Sequence, residues 1–190
     1  MTATPDPASV ARGPDTSGTQ NFTVRAARPK DATSFLQMWR SVVAEKRYIR
    51  TEEVRRSAGH YRRTYFRKSW TSKEASIVAV DARGRVIGHL GVAREDGQAT
   101  DHVASLGMAV ARDWRGRGVG TALLAEAIRW GREMGVEKLA LSVYPDNEAA
   151  RALYAKFGFV EEGRLTGHSK KSIGYLDEIV MGLWLIDRPT

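Results

Sequence analysis

Three glycines within five residues, Gly116, Gly118 and Gly120, constrain this chain more than any other feature. They lie in Trp114-Arg115-Gly116-Arg117-Gly118-Val119-Gly120-Thr121. The segment before them, about 102–111, is predicted to be a strand. After them Val119, Leu123, Ala127, Trp130 and Met134 recur on one helical face, with Gly135 placed as the C-terminal cap. Glycine lets the backbone turn sharply and leaves no Cβ between its N–H groups and a bound ion. The first turn of the following helix carries unpaired N–H donors at the positive end of its dipole. Arg115 and Arg117 add charge and the Thr121 hydroxyl adds a donor. Such a loop is a phosphate cradle. The alternative is an ordinary glycine-rich turn with solvated arginines.

The kind of phosphate is narrowed by what is missing. A P-loop needs Gly-Lys-Ser/Thr at the helix start, and a dinucleotide loop needs glycine at the positions of Thr121 or Leu123. The pattern left is R-x-x-G-x-G, on Arg115, Gly118 and Gly120. Downstream, residues 147–159 read Asn-Glu-Ala-Ala-Arg-Ala-Leu-Tyr-Ala-Lys-Phe-Gly-Phe, that is N-x-x-A-x-x-L-Y-x-K-x-G-F. The two motifs, in this order and spacing, resemble those of the GCN5-related N-acetyltransferases (GNAT). The resemblance covers most of residues 22–186.

The resemblance implies an α/β fold with a central, mostly antiparallel twisted sheet. That sheet has about six to seven strands, a splayed pair and about four flanking helices. It implies acetyl-CoA as cosubstrate, no metal, and direct acetyl transfer to an amine acceptor: a small amine, an antibiotic-like amine or a peptide amine. Arg115, Gly116, Arg117, Gly118, Val119, Gly120 and Thr121 would hold the pyrophosphate. Met108, Ala109 and Val110 would bind the pantetheine arm and stabilise the oxyanion through backbone N–H groups. Asn147 would contact the cosubstrate as well as capping its helix, and Tyr154 would donate a proton to the departing thiolate. Dimers are common in the family.

The base is not named by either motif. Members that acetylate ribosomal-protein N-termini place a glutamate where Ser142 stands, and many small-amine members have a carboxylate near Ser105. Glu52, Glu53, Glu74, His89 and Asp177 are the candidates left.

Away from the motifs, residues 1–20 are rich in Thr, Ser, Pro, Ala and Gly and read as a disordered tail before a single domain over 21–190. Phe22 to Ala26 reads as a strand. Pro29 opens a helix carrying Phe35, Met38, Trp39, Val42 and Val43. A basic helix is expected from Glu52 to Lys68, and a hairpin turns through Asp81-Ala82-Arg83-Gly84. Lys138 to Tyr144 is a strand, as is the apolar stretch from about Tyr175 to Ile186. No run approaches the roughly 20 apolar residues of a membrane span, and no signal-peptide h-region is present, so the expected location is cytoplasmic. Cysteine is absent, which removes thiolate chemistry and disulfides. The net charge of +8 favours an anionic partner. Arginines 47 to 67 interleaved with Tyr61, Tyr65, Phe66 and Trp70 keep a nucleic-acid-binding function as the runner-up, beside a non-catalytic acetyl-CoA sensor.

Overall fold

The computed structural model describes residues 22–187, so the expected tail at 1–20 lies outside the described residues. A seven-stranded sheet runs in the order β1-β2-β3-β4-β5-β7-β6. The strands are β1 (Phe22–Ala26), β2 (Glu74–Asp81), β3 (Val86–Arg94), β4 (Val103–Val110), β5 (Lys138–Val143), β6 (Val160–Lys171) and β7 (Gly174–Trp184). Four α-helices flank it: α1 (Ala32–Ala44), α2 (Ala58–Thr64), α3 (Val119–Glu133) and α4 (Glu148–Lys156). All neighbouring strands are antiparallel except β4 and β5. A parallel pair needs a crossover, and α3 supplies it.

The sheet separates two cores. On one face Val119, Leu123, Leu124, Ala127 and Trp130 of α3 bury against Leu90, Leu106, Leu139, Leu141 and Val143. The Trp130 indole donates to the Thr71 carbonyl at 2.8 Å, so its one polar atom is satisfied inside the core. On the other face Phe35, Met38 and Val42 of α1 pack with Phe66 on Val78, Val80 and Ala109. The hairpin between β2 and β3 forms as its residues predict. Asp81 accepts from the amides of Arg83 and Arg85, and Gly84 turns the chain at φ 75°.

Two expectations are corrected. The basic helix covers only Ala58–Thr64 rather than Glu52 to Lys68. Ser57 caps it by accepting from the His60 amide, which fixes its start there. The residues before it are held out of helix by distant partners: the Tyr48 hydroxyl donates to Asp146, and Glu52 accepts from Ser172. Of its aromatics, Phe66 is buried and Tyr61 lies edge-on to Phe35, while Tyr65 stays exposed. Second, the sequence places extended structure only at Phe157 to Val160, whereas the strand β6 starts at Val160 and runs for 12 residues. Most of that strand is exposed, so it lacks the apolar alternation that announces a strand.

Candidate active site

The parallel pairing of β4 and β5 lasts three residue pairs, Val103–Lys138, Ala104–Leu139 and Ser105–Ala140. Beyond them the strands part. Successive amides of a strand point to opposite edges. Ala111 donates to Ile87 of β3, so the amides of Ala109 and Gly107 face β3 and those of Met108 and Val110 face the gap. A cavity of about 1060 Å³ fills this gap. Leu106, Met108, Leu141, Val143, Leu153 and Tyr154 line it from the α3 face, and Trp39, His89, Ser142, Tyr144 and Glu178 from the α1 face. The cavity therefore passes through the sheet.

The glycine loop forms the mouth. Gly116 and Gly118 have φ of 70° and 80°, in the left-handed region, and a Cβ at either would meet nothing within 4 Å. Open space and exposed N–H groups are what an approaching pyrophosphate needs. Gly118 is also the N-cap of α3. Val119 has its side chain fully buried in the core, leaving only its backbone to the loop. Gly120 is packed closely: a Cβ there would lie 3.1 Å from Leu153 Cδ2. The expected cations behave differently from each other. Arg115 donates to both carboxylate oxygens of Glu45 at 2.7 Å and to the Val110 carbonyl at 3.0 Å, so it ties the loop to the end of α1. Arg117 lies over the Trp114 ring, 5.6 Å from its centroid. Asn147 caps α4, accepting from the Ala150 amide at 3.3 Å, and lines the cavity as well.

Tyr154 is buried against Phe159, with ring centroids 5.7 Å apart. Burial pushes its phenol up to about 12, so it stays protonated. Among the described residues it makes no hydrogen bond, and its position in the cavity wall leaves the hydroxyl to a ligand.

Of the candidate bases, only His89 lines the cavity. Its Nε2 pairs with the Ser76 hydroxyl at 2.8 Å, and burial lowers it to about 4, so it is neutral at pH 7. Glu52 is engaged by Ser172, Glu53 by Arg55, and Asp177 by Arg164 and the Gly167 amide, while Glu74 lies outside.

Besides Glu95, which accepts from the Ser105 hydroxyl near the apex of the splay, the carboxylate that enters is Glu178, one residue along β7 from Asp177 and on the opposite face. It is 2% exposed and receives a bidentate pair from Arg50 and a hydroxyl from Ser169. Burial alone would raise its carboxyl, but the hydrogen bonds from Arg50 and Ser169 hold it below its ordinary value. Arg50 belongs to the segment 45–51, which crosses the α1 side of the cavity with Lys46 and Tyr48 at φ of 52° and 59°. Facing Glu178, Tyr144 has a buried hydroxyl with no partner. Such an orphan costs about 1–3 kcal/mol. Arg50, Tyr144 and Glu178 stand outside the two central motifs and are brought together by the fold.

Among the described residues no group of three or more His, Asp or Glu side chains is arranged to hold a metal ion. Among the described residues no helix is long and apolar enough to cross a membrane.

The sequence profile of the Acetyltransferase (GNAT) family matches residues 39–159. The chain belongs to this family. Among curated GNAT-type relatives, the L-amino acid N-acetyltransferase AaaT of Escherichia coli is 34% identical over 102 residues, 52% of this chain and 61% of the relative. A mycothiol acetyltransferase of Propionibacterium freudenreichii is 38% identical over 94 residues, 48% of this chain and 30% of the relative. The chain thus spans less than two thirds of either. Solved GNAT structures share the fold. One from Streptococcus pneumoniae has a TM-score of 0.79 at 23% identity, covering 86% of this chain and 99% of that one. A phosphinothricin acetyltransferase from Sinorhizobium meliloti, in complex with acetyl-CoA, has a TM-score of 0.77 at 23% identity, covering 89% and 93%. A GNAT protein from Kribbella flavida is 28% identical with a TM-score of 0.73, covering 86% and 97%. The mixed sheet with one splayed parallel pair is the architecture the resemblance implies.

Proposed function

We propose that the protein transfers an acetyl group from acetyl-CoA directly to the nitrogen of a small amine. The observation that carries this reading is one continuous cavity joining a phosphate cradle, an unpaired strand edge and a protonated tyrosine. The names of the relatives, acetyltransferases acting on L-amino acids in one case, support it.

In this reading the backbone of Gly116 to Gly120, with Arg117 and the Thr121 hydroxyl, receives the pyrophosphate, while Arg115 orders the loop through Glu45. The free edge of Met108 and Val110, beside Ala109, takes the pantetheine arm as an added strand would, and Asn147 contacts it from α4. Their amides also supply donors where oxyanion charge develops. Acetyl-CoA brings an activated acyl carbon and a thiolate leaving group to this cleft. Tyr154 gives its proton to the sulfur as the carbon–sulfur bond breaks. His89 is neutral and Glu178 is committed to Arg50, so the amine loses its proton to water in the open cavity or to Glu95, which accepts from the Ser105 hydroxyl in the cavity wall. A single acetyltransferase domain over 21–190, a cytoplasmic location and a homodimer complete the proposal.

The test is calorimetric titration with acetyl-CoA beside dephospho-coenzyme A, followed by thiol release in an amine screen. Micromolar binding with turnover on an amine is expected. Absence of binding at millimolar acetyl-CoA would remove the reading. Binding with no turnover on any amine would favour the sensor.

A further inference from the structure

We infer that the acceptor carries a carboxylate, and that Tyr144 with Arg50 beside it receives that group. The inference rests on the acetyl-transfer reading of the same cavity, whose acceptor it specifies.

The argument starts from strand parity. Leu139, Leu141 and Val143 of β5 face the α3 core, so Ser142 and Tyr144 face the α1 side. The β5–β7 register pairs Ser142 with Val180 and Val143 with Ile179, which sets Tyr144 beside Glu178. Tyr144 is 7% exposed and forms part of the cavity wall. Its hydroxyl is the one buried side-chain polar atom among the described residues without a hydrogen-bond partner. A buried donor beside a cavity, closed to bulk water, is satisfied when a ligand supplies an acceptor atom.

The surrounding charges say what kind of acceptor atom. Arg50 lies beside Tyr144 in the cavity wall while its guanidinium holds Glu178. Against the Tyr144 ring lies the Lys171 ammonium, 5.4 Å from the centroid. Lys171 is itself 7% exposed, and its one hydrogen bond is to the Lys46 carbonyl at 3.3 Å. Among the described residues it makes no ion pair with a carboxylate. Arg47, stacked on Tyr48 in the same segment, also lines the cavity. The acidic groups nearby are Glu178, whose charge Arg50 balances, and Glu52, which accepts from Ser172 and feels the charges of Lys171 and Lys46, so with Arg47 the cations around Tyr144 still outnumber the carboxylates. Glu95 lies toward the apex of the splay, with Ser105. A second cation would meet uncompensated like charge here, whereas a carboxylate accepts from the phenol in a positive field.

The floor between this corner and the cleft is made of small residues: Gly107, Ala109, Ala140 and Ser142. An acceptor anchored at Tyr144 by its carboxylate can therefore lay its amine across that floor toward the gap between β4 and β5. Tyr144 is thus a specificity residue, acting on acceptor binding.

The experiment uses the full chain. L-Amino acids and their matching amides are screened by thermal shift, then titrated calorimetrically with and without coenzyme A, into the wild type and Tyr144→Phe. The wild type is expected to bind at least one acid tenfold or more tightly than its amide. In Tyr144→Phe that preference falls to within about twofold, while the acetyl-CoA dissociation constant changes less than twofold. The unfolding midpoint of Tyr144→Phe is expected to hold or rise, because the substitution removes an orphan hydroxyl. A purely structural hydroxyl would lower it. Equal binding of acid and amide by the wild type overturns the inference, as does a preference that survives in Tyr144→Phe. Failure of every amino acid to bind, in protein that binds acetyl-CoA, also overturns it and leaves the transfer reading standing. An acid preference that depends on Tyr144, in protein that does not bind acetyl-CoA, keeps this site and removes the transfer reading instead.

Discussion

Arg115 and Glu45, 70 residues apart, form a bidentate pair at 2.7 Å that fastens the glycine loop to the end of α1. The same guanidinium also covers the Val110 carbonyl at the free edge of β4. A carboxylate thus stands next to a cradle built for phosphate and occupies one of its two arginines. Replacing Glu45 with Gln removes that charge and releases Arg115. Acetyl-CoA binding is expected to tighten by about two- to fivefold at low ionic strength, and the gain should shrink in 0.5 M salt. Titration calorimetry at two salt concentrations checks this, and weaker binding would mean that Glu45 is needed to shape the loop.

Gly118 tests the cradle itself. At φ 80° an alanine is strained by about 1–2 kcal/mol, although no atom stands in the way of its Cβ. Gly118→Ala should therefore fold with a modest loss in unfolding free energy. The added methyl enters the space left for phosphate, so acetyl-CoA affinity should fall at least tenfold. Denaturant titration beside calorimetry separates the two effects.

Tyr154→Phe should lower kcat by about 10- to 100-fold and leave the acetyl-CoA dissociation constant within twofold. With its phenol pushed up to about 12, Tyr154 does not ionise through the ordinary assay range. An alkaline fall in kcat below pH 10 must then belong to another group, and it should persist in the variant. The pH–rate profiles of both proteins decide this.

His89 predicts how stability depends on pH. Its pKa is about 4 in the fold against 6.5 when unfolded, so between those values the unfolded chain binds more protons. Its contribution is full above pH 6.5 and is lost as pH falls toward 4, by at most about 3 kcal/mol. His89→Gln, which can still pair with Ser76, should flatten the curve of unfolding free energy between pH 6.5 and 4. An unchanged slope would mean that His89 is hydrated through the cavity.

The pair of Arg50 and Glu178 should respond unequally to truncation. Arg50 has a side chain 57% exposed, whereas that of Glu178 is 2% exposed. Arg50→Ala leaves a buried carboxylate supported by Ser169 alone and should cost about 3 kcal/mol. Glu178→Gln leaves an arginine that water can reach and should cost less. Chemical denaturation of both variants measures the difference, and equal losses would contradict it.

How much of this could be read beforehand depended on whether a feature was contiguous in the chain. The glycine loop and the Asn147–Phe159 segment each keep their chemistry within one turn or one helix, so spacing located the first and resemblance to a contiguous family pattern located the second. The corner holding Arg50, Tyr144 and Glu178 draws on a loop and two strands. Asp177 and Glu178 are adjacent, and only strand parity decides which enters the cavity. That parity could not be counted from β6, whose pairing with β7 shifts register twice, between Glu161 and Gly163 and between Leu165 and Ser169. Arg115 was placed correctly in the loop, but its partner Glu45 belongs to another element. The start of the basic helix is likewise set by Ser57 and by tertiary ties rather than by composition.

The brief pairing of β4 with β5 has a consequence for how the protein holds together. Strands β1 to β4 and strands β5 to β7 are two half-sheets stitched by three residue pairs. A ligand lying along the open edge adds contacts to both halves at once and acts as a removable seam. Amide exchange at Met108 and Val110 should slow when it is present, and the halves should then unfold as one unit. In its absence the weakest line through the molecule runs along its own binding cleft.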